Sequence, residues 1–327
     1  MPILETMKAF CCGLLLVHSA ATAAAVQKPV DFPTGPVRIL VPFPAGGPAD
    51  VIMRILADRL SLQWGKPVIV ENRPGAATIV STTALANSQP DGHTLGDATQ
   101  FHVINPALNR SLPFDTVRDF SGVSMVVLQS IVLVAHPSFP ANSLAELIAL
   151  AKSSPDQLNF ASSGPRGVGH LAGEMLKHLA GIQMQHINYQ GSGPALTDVL
   201  AGRVPIMFDI WHSVKQQVAD GRLKVIAFTG LQRQKDARQY PTVAETYPGF
   251  DATSFQAIIT RAGLPAPVLN KLSLDIRAVV ASPEFQERTS HLGVESYGST
   301  PEEADRYLHG EIRKWADIVK KANLKID

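Results

Sequence analysis

Residues 37–50 read VRILVPFPAGGPAD, a β-rich run that passes through a glycine loop into a helical pattern. The apolar residues of that helix recur at the 3.6-residue period expected when one face covers a sheet, at Ile52, Ile55, Leu56 and Leu60. The same order of strand, small-residue loop and helix returns at residues 158–180. Short β-rich runs alternate with helical patterns after each unit, which predicts an α/β fold with two mostly parallel sheets.

The loop after the first strand has the features of an anion site. Gly46 and Gly47 let a ligand approach the backbone closely, and Pro48 suits the first position of a helix. The free N–H groups and the dipole of a helix N-terminus favour a carboxylate. A Gly-Gly turn is also a common plain connection, so the spacing alone leaves both interpretations open. The candidate ligand-binding residues here are Phe43, Pro44, Ala45, Gly46, Gly47 and Asp50.

The second loop, ASSGPRGVGH at residues 161–170, offers the same device. Two helix N-termini that face each other across a cleft would hold one anion between them. Two serines add hydroxyl donors, and Arg166 is either a further charge for the ligand or a solvated loop residue. The candidate residues of this loop are Ser162, Ser163, Gly164, Gly167, Val168 and His170.

Composition limits the function classes. The 327 residues are 45% hydrophobic, enough for a large core and two lobes. Lys and Arg number 29 against 28 Asp and Glu, so no basic excess points to a nucleic acid. We therefore expect a monomer whose partner is a small molecule.

The N-terminus has the order of a secretory signal. Lys8 precedes the apolar residues 9–17, and small residues follow through Ala25. The apolar run is shorter than the ~20 residues of a membrane span. We expect cleavage near Ala25 and a periplasmic mature chain without cysteine, because Cys11 and Cys12 both lie in the signal.

The helix after the second loop raises the question of a metal site, and the serines and histidine of that loop raise that of an enzyme. His170, Glu174 and His178 fall at i, i+4 and i+8 on the helix after the second loop. They occupy its polar outer face, opposite a predicted buried stripe at Val168, Leu171, Ala172, Met175, Leu176 and Leu179. Residues 191–193 (GSG) lack the G-x-S-x-G elbow, and no Walker or dinucleotide loop is present. We expect no metal, cofactor or catalytic residue; a hydrolase-like periplasmic enzyme on this fold is the alternative.

A series of short motifs resembles one family, the Bug-type periplasmic receptors of tripartite tricarboxylate transporters. Each motif is weak alone, but their order along nearly the whole mature chain is specific. They are FPTGPVR (32–38), PAGGPAD (44–50), VENRPG (70–75), PDGHTL (90–95), INPAL (104–108), DF (119–120), ASSG (161–164), HLAGE (170–174), YQGSGPA (189–195), MFD (207–209) and PTVAE (241–245).

The resemblance implies a two-lobed Venus flytrap fold, type II-like, that closes on a small carboxylate. It places lobe 1 at residues 26–125 plus 247–327 and lobe 2 at residues 126–246. Members resemble this chain in using the two loops to bind a ligand carboxylate through backbone N–H groups. Membrane permease subunits or a sensor are the implied partners.

The chain departs from the family pattern at residues 76–79 (AATI), 96–100 (GDATQ) and 210–213 (IWHS), all of which the resemblance places where strands reach the cleft. It adds Thr99, Tyr189, Asp209 and Trp211 to the candidate set. Asp209 has two interpretations: it accepts hydrogen bonds from a ligand amine or hydroxyl, or it caps the helix near His212. We expect Trp211 to form an apolar wall beside it.

Overall fold

The computed structural model describes residues 31–109, 111–155, 157–164 and 167–321. The predicted signal peptide lies outside these residues, as do Pro165 and Arg166 of the second loop. Within the described residues, no helix is both long enough and apolar enough to span a bilayer.

The structure alternates strands and helices along most of its length. The strands are β1 Val37–Val41, β2 Val68–Asn72, β3 Thr94–Thr99, β4 Phe120–Gln129, β5 Ile131–Ala135, β6 Asn159–Ser162, β7 Gln185–Asn188, β8 Ile206–Ile210, β9 Lys224–Phe228, β10 Ser254–Arg261 and β11 Glu295–Ser296. The helices are α1 Pro48–Trp64, α2 Ile79–Ala86, α3 Gln100–Leu108, α4 Leu144–Ser153, α5 Val168–Ala180, α6 Ser192–Leu200, α7 Trp211–Ala219, α8 Ala266–Ala281, α9 Pro283–Ser290 and α10 Pro301–Lys321.

The strands form two sheets, one in each lobe, with the orders β11-β4-β10-β3-β1-β2 and β7-β6-β8-β5-β9. In the first sheet, β1 is parallel to β2 and β3, and β10 is antiparallel to β3 and β4. In the second sheet, β6 is parallel to β7 and β8, and β5 is antiparallel to β8 and β9. The two-lobed α/β architecture is confirmed.

The sheets are mixed, but most strands of each run in one direction, as predicted: four of six in the first sheet and four of five in the second. Strands β1, β3 and β4 all run toward the cleft, and β6, β8 and β9 do the same in the second lobe. Each lobe also contains a strand that arrives from the other lobe, β10 in the first and β5 in the second. Such a strand starts at the cleft and runs away from it, which makes it antiparallel to its neighbours.

The chain crosses from the first sheet to the second at Ser130. Strand β4 stays in the first sheet as far as Gln129, so the predicted boundary after residue 125 falls inside this strand. The apolar run 123–135 is two strands in two sheets, divided at the polar pair Gln129-Ser130. The return crossing lies between β9 and β10, where Thr229 Oγ1 donates hydrogen bonds to the carbonyls of Ile131 and Ala252.

Two helix starts have the caps that their local sequences predict, SLAE at residues 143–146 and TPEE at residues 300–303. The Ser143 hydroxyl accepts a hydrogen bond from the N–H of Glu146 at the start of α4. At α10, Thr300 and Glu303 form a reciprocal capping box, in which each side chain accepts from the backbone N–H of the other residue. These local signals therefore fix helix starts as expected.

Helix α5 packs very closely against its sheet, and the predicted division between its buried and exposed faces is partly wrong. A Cβ at Gly173 would lie 2.3 Å from the Phe160 ring, so this close approach needs glycine. Glu174 is only 9% exposed and accepts a hydrogen bond from Lys177, whereas Leu179 is 44% exposed. The placement of Glu174 on the outer face and of Leu179 in the core is therefore wrong.

Candidate functional site

Two adjoining cavities occupy the cleft between the lobes. The larger has a volume of about 410 Å³ and lies against the loop from β1 to α1 and the first sheet. The smaller, of about 240 Å³, lies against the loop from β6 to α5 and the end of β8. Gln100, Ile210 and Ser254 line both cavities, so the two form one continuous site.

The first loop brings an uncapped helix N-terminus to the larger cavity. Gly47 is the N-cap of α1 and no side chain caps the helix, so its first N–H groups have no partner in the described chain. Proline occupies the first helical position, as predicted. The residues of this segment that line the cavity are Phe43, Pro44, Ala45, Gly47, Pro48 and Ala49.

A buried carboxylate braces the first loop from behind. Asp50 is 1% exposed and accepts hydrogen bonds from the Gly46 N–H (2.9 Å), Arg54 Nε (2.8 Å) and Asn72 Nδ2 (2.8 Å). Burial alone would raise the pKa of Asp50, but these donors lower it to about 2. Gly46 has a φ of 84°, a conformation that favours glycine. Asp50 and Gly46 therefore position the loop and do not line the cavity.

The second loop repeats the backbone arrangement. Gly167 is the N-cap of α5, again without a side-chain cap, with φ and ψ of −72° and 161° against −74° and 164° at Gly47. The residues of this segment that line the smaller cavity are Ser163, Gly164, Gly167, Val168 and Gly169. An uncapped helix N-terminus therefore reaches the cleft from each lobe.

Neutral groups brace the second loop. The Ser162 hydroxyl lies 2.8 Å from His186 Nε2 and 3.2 Å from the Gly164 carbonyl oxygen. The rings of His170 and His186 stack with their centroids 3.9 Å apart. Burial lowers the pKa of both histidines to about 4, so both are uncharged at neutral pH. Ser162 and His170, like Asp50, act behind the cavity wall and do not line it.

Asp209 is the penultimate residue of β8, and it lies beside the smaller cavity with one oxygen unsatisfied within the described chain. Its Oδ1 accepts hydrogen bonds from the Ile210 N–H (2.8 Å) and the Ser192 hydroxyl (2.9 Å). Its Oδ2 is buried and has no partner in the described chain. Burial raises the pKa of Asp209 to about 6. Ile210, not Asp209, is the N-cap of α7, so the capping interpretation is wrong.

Two candidates turn away from the cleft. The Trp211 indole packs against Phe228 and Tyr240 and lies within hydrogen-bond distance of Asp236 Oδ2, outside both cavities. It therefore does not form the wall expected beside Asp209. Ile210 takes that place because the helix begins at residue 211 and turns the indole away from the cleft, into the core of the second lobe. Tyr189 donates its hydroxyl to Asp198 Oδ2 at 2.8 Å and lines neither cavity.

The sequence missed a polar wall on the first sheet. Thr99 was predicted and lines the larger cavity with a buried hydroxyl that has no partner among the described residues. The residues that join it there were not predicted: Gln100, Gln129, Ser254 and Gln256. They come from α3, β4 and β10, which are far apart in sequence, and no local motif marks them.

Metal ligation finds no support in the geometry. Among the described residues, no group of three or more His, Cys, Asp or Glu side chains is placed to hold a metal ion. His178 is exposed.

Comparisons with known proteins agree with this architecture. The model of the tripartite tricarboxylate transporter family receptor (TctC) matches residues 52–324. Protein BugT of Bordetella pertussis is 31% identical over 315 residues, covering 95% of this chain and 96% of BugT.

Two solved structures show the same fold with ligands present. An R. palustris protein solved with adipate is 29% identical with a TM-score of 0.74, covering 90% of this chain and 99% of that one. MatC of Rhodopseudomonas palustris, solved with bound malate, is 27% identical with a TM-score of 0.70, covering 88% and 100%. This chain therefore belongs to the tripartite tricarboxylate transporter receptor family.

Proposed function

We propose that this receptor is exported to the periplasm and captures a small carboxylate between its lobes. The observation that carries the proposal is the pair of uncapped helix N-termini, at Gly47 and Gly167, that open on one continuous cleft. Each supplies backbone N–H donors and the positive end of a helix dipole. A carboxylate held by both would bridge the lobes. The adipate and malate of the two solved relatives are carboxylates, which supports this ligand class.

The binding residues follow from the cavity walls. We assign the carboxylate to the N–H groups around Gly47 and Gly167, with the Ser163 hydroxyl as a further donor. Asp209, through its unsatisfied Oδ2, accepts a hydrogen bond from a ligand hydroxyl or amine. Lobe 1 comprises the chain before Ser130 and from β10 onward, and lobe 2 comprises β5 to β9.

The receptor then presents its ligand to membrane permease subunits or to a sensor, and it acts as a monomer with its signal peptide removed near Ala25. A hydrolase built on the Ser162-His186 pair would need that serine to be accessible to a substrate. Ser162 is close to His186, but it is 1% exposed and lines neither cavity. Binding without turnover is therefore the function that the geometry favours.

A thermal-shift screen tests the proposal. The mature protein is mixed with mono-, di- and tricarboxylates, amino acids and aromatic acids, and each is compared with its amide or alcohol analogue. A bound ligand at a hundred times its dissociation constant adds about 2.7 kcal/mol to the free energy of unfolding. We expect stabilisation by at least one carboxylate and none by its fully neutral analogue. Stabilisation by neutral compounds alone would contradict carboxylate capture.

A further inference from the structure

The polar wall of the larger cavity, defined as Gln100, Gln129, Ser254 and Gln256, is set by strand register. Ser254 lies directly opposite Gln129 on β4, and Gln256 lies opposite Thr99 on β3. Side chains opposite one another in a sheet share a face, as do residues two apart in one strand. The wall is therefore a continuous polar face at the cleft end of the first sheet, and it reaches the first turn of α1 through Gln256.

The hydrogen bonds of this wall leave both donors and acceptors for a ligand. Gln256 uses Nε2 to donate to Asp97 Oδ2 (2.9 Å) and to the Ala49 carbonyl (3.3 Å), which leaves its Oε1 as an acceptor. Gln100 Oε1 accepts from the Ser254 hydroxyl (3.2 Å), which leaves its Nε2 as a donor. Gln129 is 9% exposed, and within the described chain its amide has no partner.

The charges around the cleft disfavour a second anion. No lysine, arginine or histidine among the described residues lines either cavity, and Asp209 is the one ionisable side chain that does. Asp97, behind Gln256, is a second buried carboxyl group, and burial raises its pKa well above the ordinary value. A second ligand carboxylate would lose its hydration without gaining a cation, and it would face the Gln256 Oε1 acceptor.

We propose that the ligand is a monocarboxylate whose far end carries an uncharged group that both donates and accepts hydrogen bonds, a carboxamide or a hydroxyl, bound by the polar wall. This inference rests on the proposed function, because the single carboxylate occupies the helix N-termini. It distinguishes this chain from the relatives solved with adipate and malate, which are dicarboxylates. An amide or hydroxyl satisfies Gln256 Oε1 as a donor and the Gln100 and Gln129 amides as an acceptor.

Calorimetric titration with matched ligands tests the proposal. Succinate, glutarate and adipate are each compared with their monoamides, with the ω-hydroxy acids and with unsubstituted acids of equal chain length, near neutral pH where free carboxyls are ionised. For the chain length that fits, the monoamide or hydroxy acid is expected to bind at least about tenfold more tightly than the diacid. Equal or tighter binding of the diacid would overturn the inference and leave carboxylate capture intact. If no acid binds in the whole series and screen, the proposed function fails as well.

Variants of Gln129 test whether the polar wall causes the preference for the monoamide. Gln129 suits this test because its side chain has no partner to lose within the described chain. Gln129→Met keeps the length of the side chain and should remove most of the advantage of the monoamide over the unsubstituted acid. Gln129→Lys supplies a cation and should raise the affinity for the diacid. The matched control is Gln89→Met, at an exposed glutamine in a separate surface cavity, which should change neither ratio. Unchanged ratios in both Gln129 variants would remove the wall from the site.

A diacid whose binding is abolished by Arg166→Ala would also overturn the inference, since it would show that the second loop supplies the missing cation.

Discussion

The two ligand loops have nearly the same backbone but different supports. Both end in a glycine N-cap without a side-chain cap, and both open on the cleft. The first loop is tied by an ionised carboxylate, Asp50, and the second by a serine and two neutral histidines. Backbone geometry at the anion site is thus repeated in the two lobes, while the side chains that enforce it differ. The first loop depends on charge and the second does not.

The largest expected loss of carboxylate affinity comes from adding a side chain at Gly47, the N-cap of α1. A Cβ at Gly47 would have an ordinary contact of 3.7 Å with the Pro44 carbonyl, so Gly47→Val should fold. Its branched side chain would block the N–H groups and weaken carboxylate binding at least about a hundredfold, the loss of two charge-assisted hydrogen bonds. Calorimetric titration with circular dichroism measures both properties.

The second loop provides the counterpart and the control. Gly167→Val should weaken binding similarly, whereas Gly169→Ala should lower stability, because its Cβ would lie 2.6 Å from the Phe208 carbonyl oxygen. Gly35→Val, at a position with no atom within 4 Å of the added Cβ, should change neither property. If Gly47→Val binds normally and Gly167→Val does not, only the second lobe binds the anion.

The next largest effect concerns pH: the contributions of Asp209 and Asp50 to the free energy of unfolding should change with pH in opposite directions. The folded pKa of Asp209, about 6, is above its ordinary value of 3.8, so its contribution to stability is full below about pH 4 and is lost as pH rises through 6. Asp209→Asn should therefore remove up to about 3 kcal/mol of pH-dependent free energy of unfolding between pH 4 and pH 7. Denaturant unfolding of the ligand-free protein measures it.

For Asp50 the sign is reversed. Its folded pKa of about 2 lies below 3.8, so its stabilisation is full above about pH 4 and is lost as pH falls toward 2. Asp50→Asn should flatten the acid limb of the curve and leave the limb near pH 6 unchanged. Identical curves for wild type and both variants would show that neither carboxyl group differs between the folded and unfolded states.

At neutral pH, the side chains that support the two loops should differ by a smaller amount in their contribution to the free energy of unfolding. Asp50→Asn breaks an ionic network and should cost about 1 to 3 kcal/mol, whereas Ser162→Ala removes a neutral hydroxyl and should cost about 1 kcal/mol or less. Unfolding free energies with Asp220→Asn, an exposed aspartate, as control would rank them. A larger loss of unfolding free energy in Ser162→Ala than in Asp50→Asn would show that the second loop depends more strongly on its side-chain support than the first.

The smallest expected change is the decrease in the radius of gyration when the lobes close on a ligand. A ligand held by loops of different lobes should bring them together, and the radius of gyration should fall when a confirmed carboxylate is added. Small-angle scattering with Gly47→Val as the non-binding control measures the change. A radius that stays constant on saturation would indicate a preformed, rigid site.

The sequence predicted the parts of the fold that local patterns encode. The strand β1 and the start of α1 follow from a hydrophobic run, two glycines and a proline, and the structure has them within one residue of the predicted positions. The capping boxes at Ser143 and Thr300 are local as well. The resemblance supplied the two-lobed form. Long-range information was missing: the register of β10 against β3 and β4 builds the polar wall, and no window of sequence contains it.

Side-chain direction was the other weakness. Trp211, chosen for its chemistry next to Asp209, points into the core because α7 starts there. Gln100 was noted as a departure from the family pattern, but its place at the junction of both cavities depends on the start of α3 and on Ser254.

The strands that cross between the lobes also constrain how the chain is made. Strand β10 lies between β3 and β4, so the core of the first sheet stays incomplete until residues 254–261 have been synthesised. During synthesis, a chain that already contains β3 and β4 but not yet β10 would therefore expose the edges of both strands without their central partner. A nascent chain that cannot complete its first lobe early stays unfolded in that region for longer, which would suit the export proposed above. The strands of the second sheet, β5 to β9, are contiguous in the chain and precede β10, so the first lobe is the last to complete its sheet.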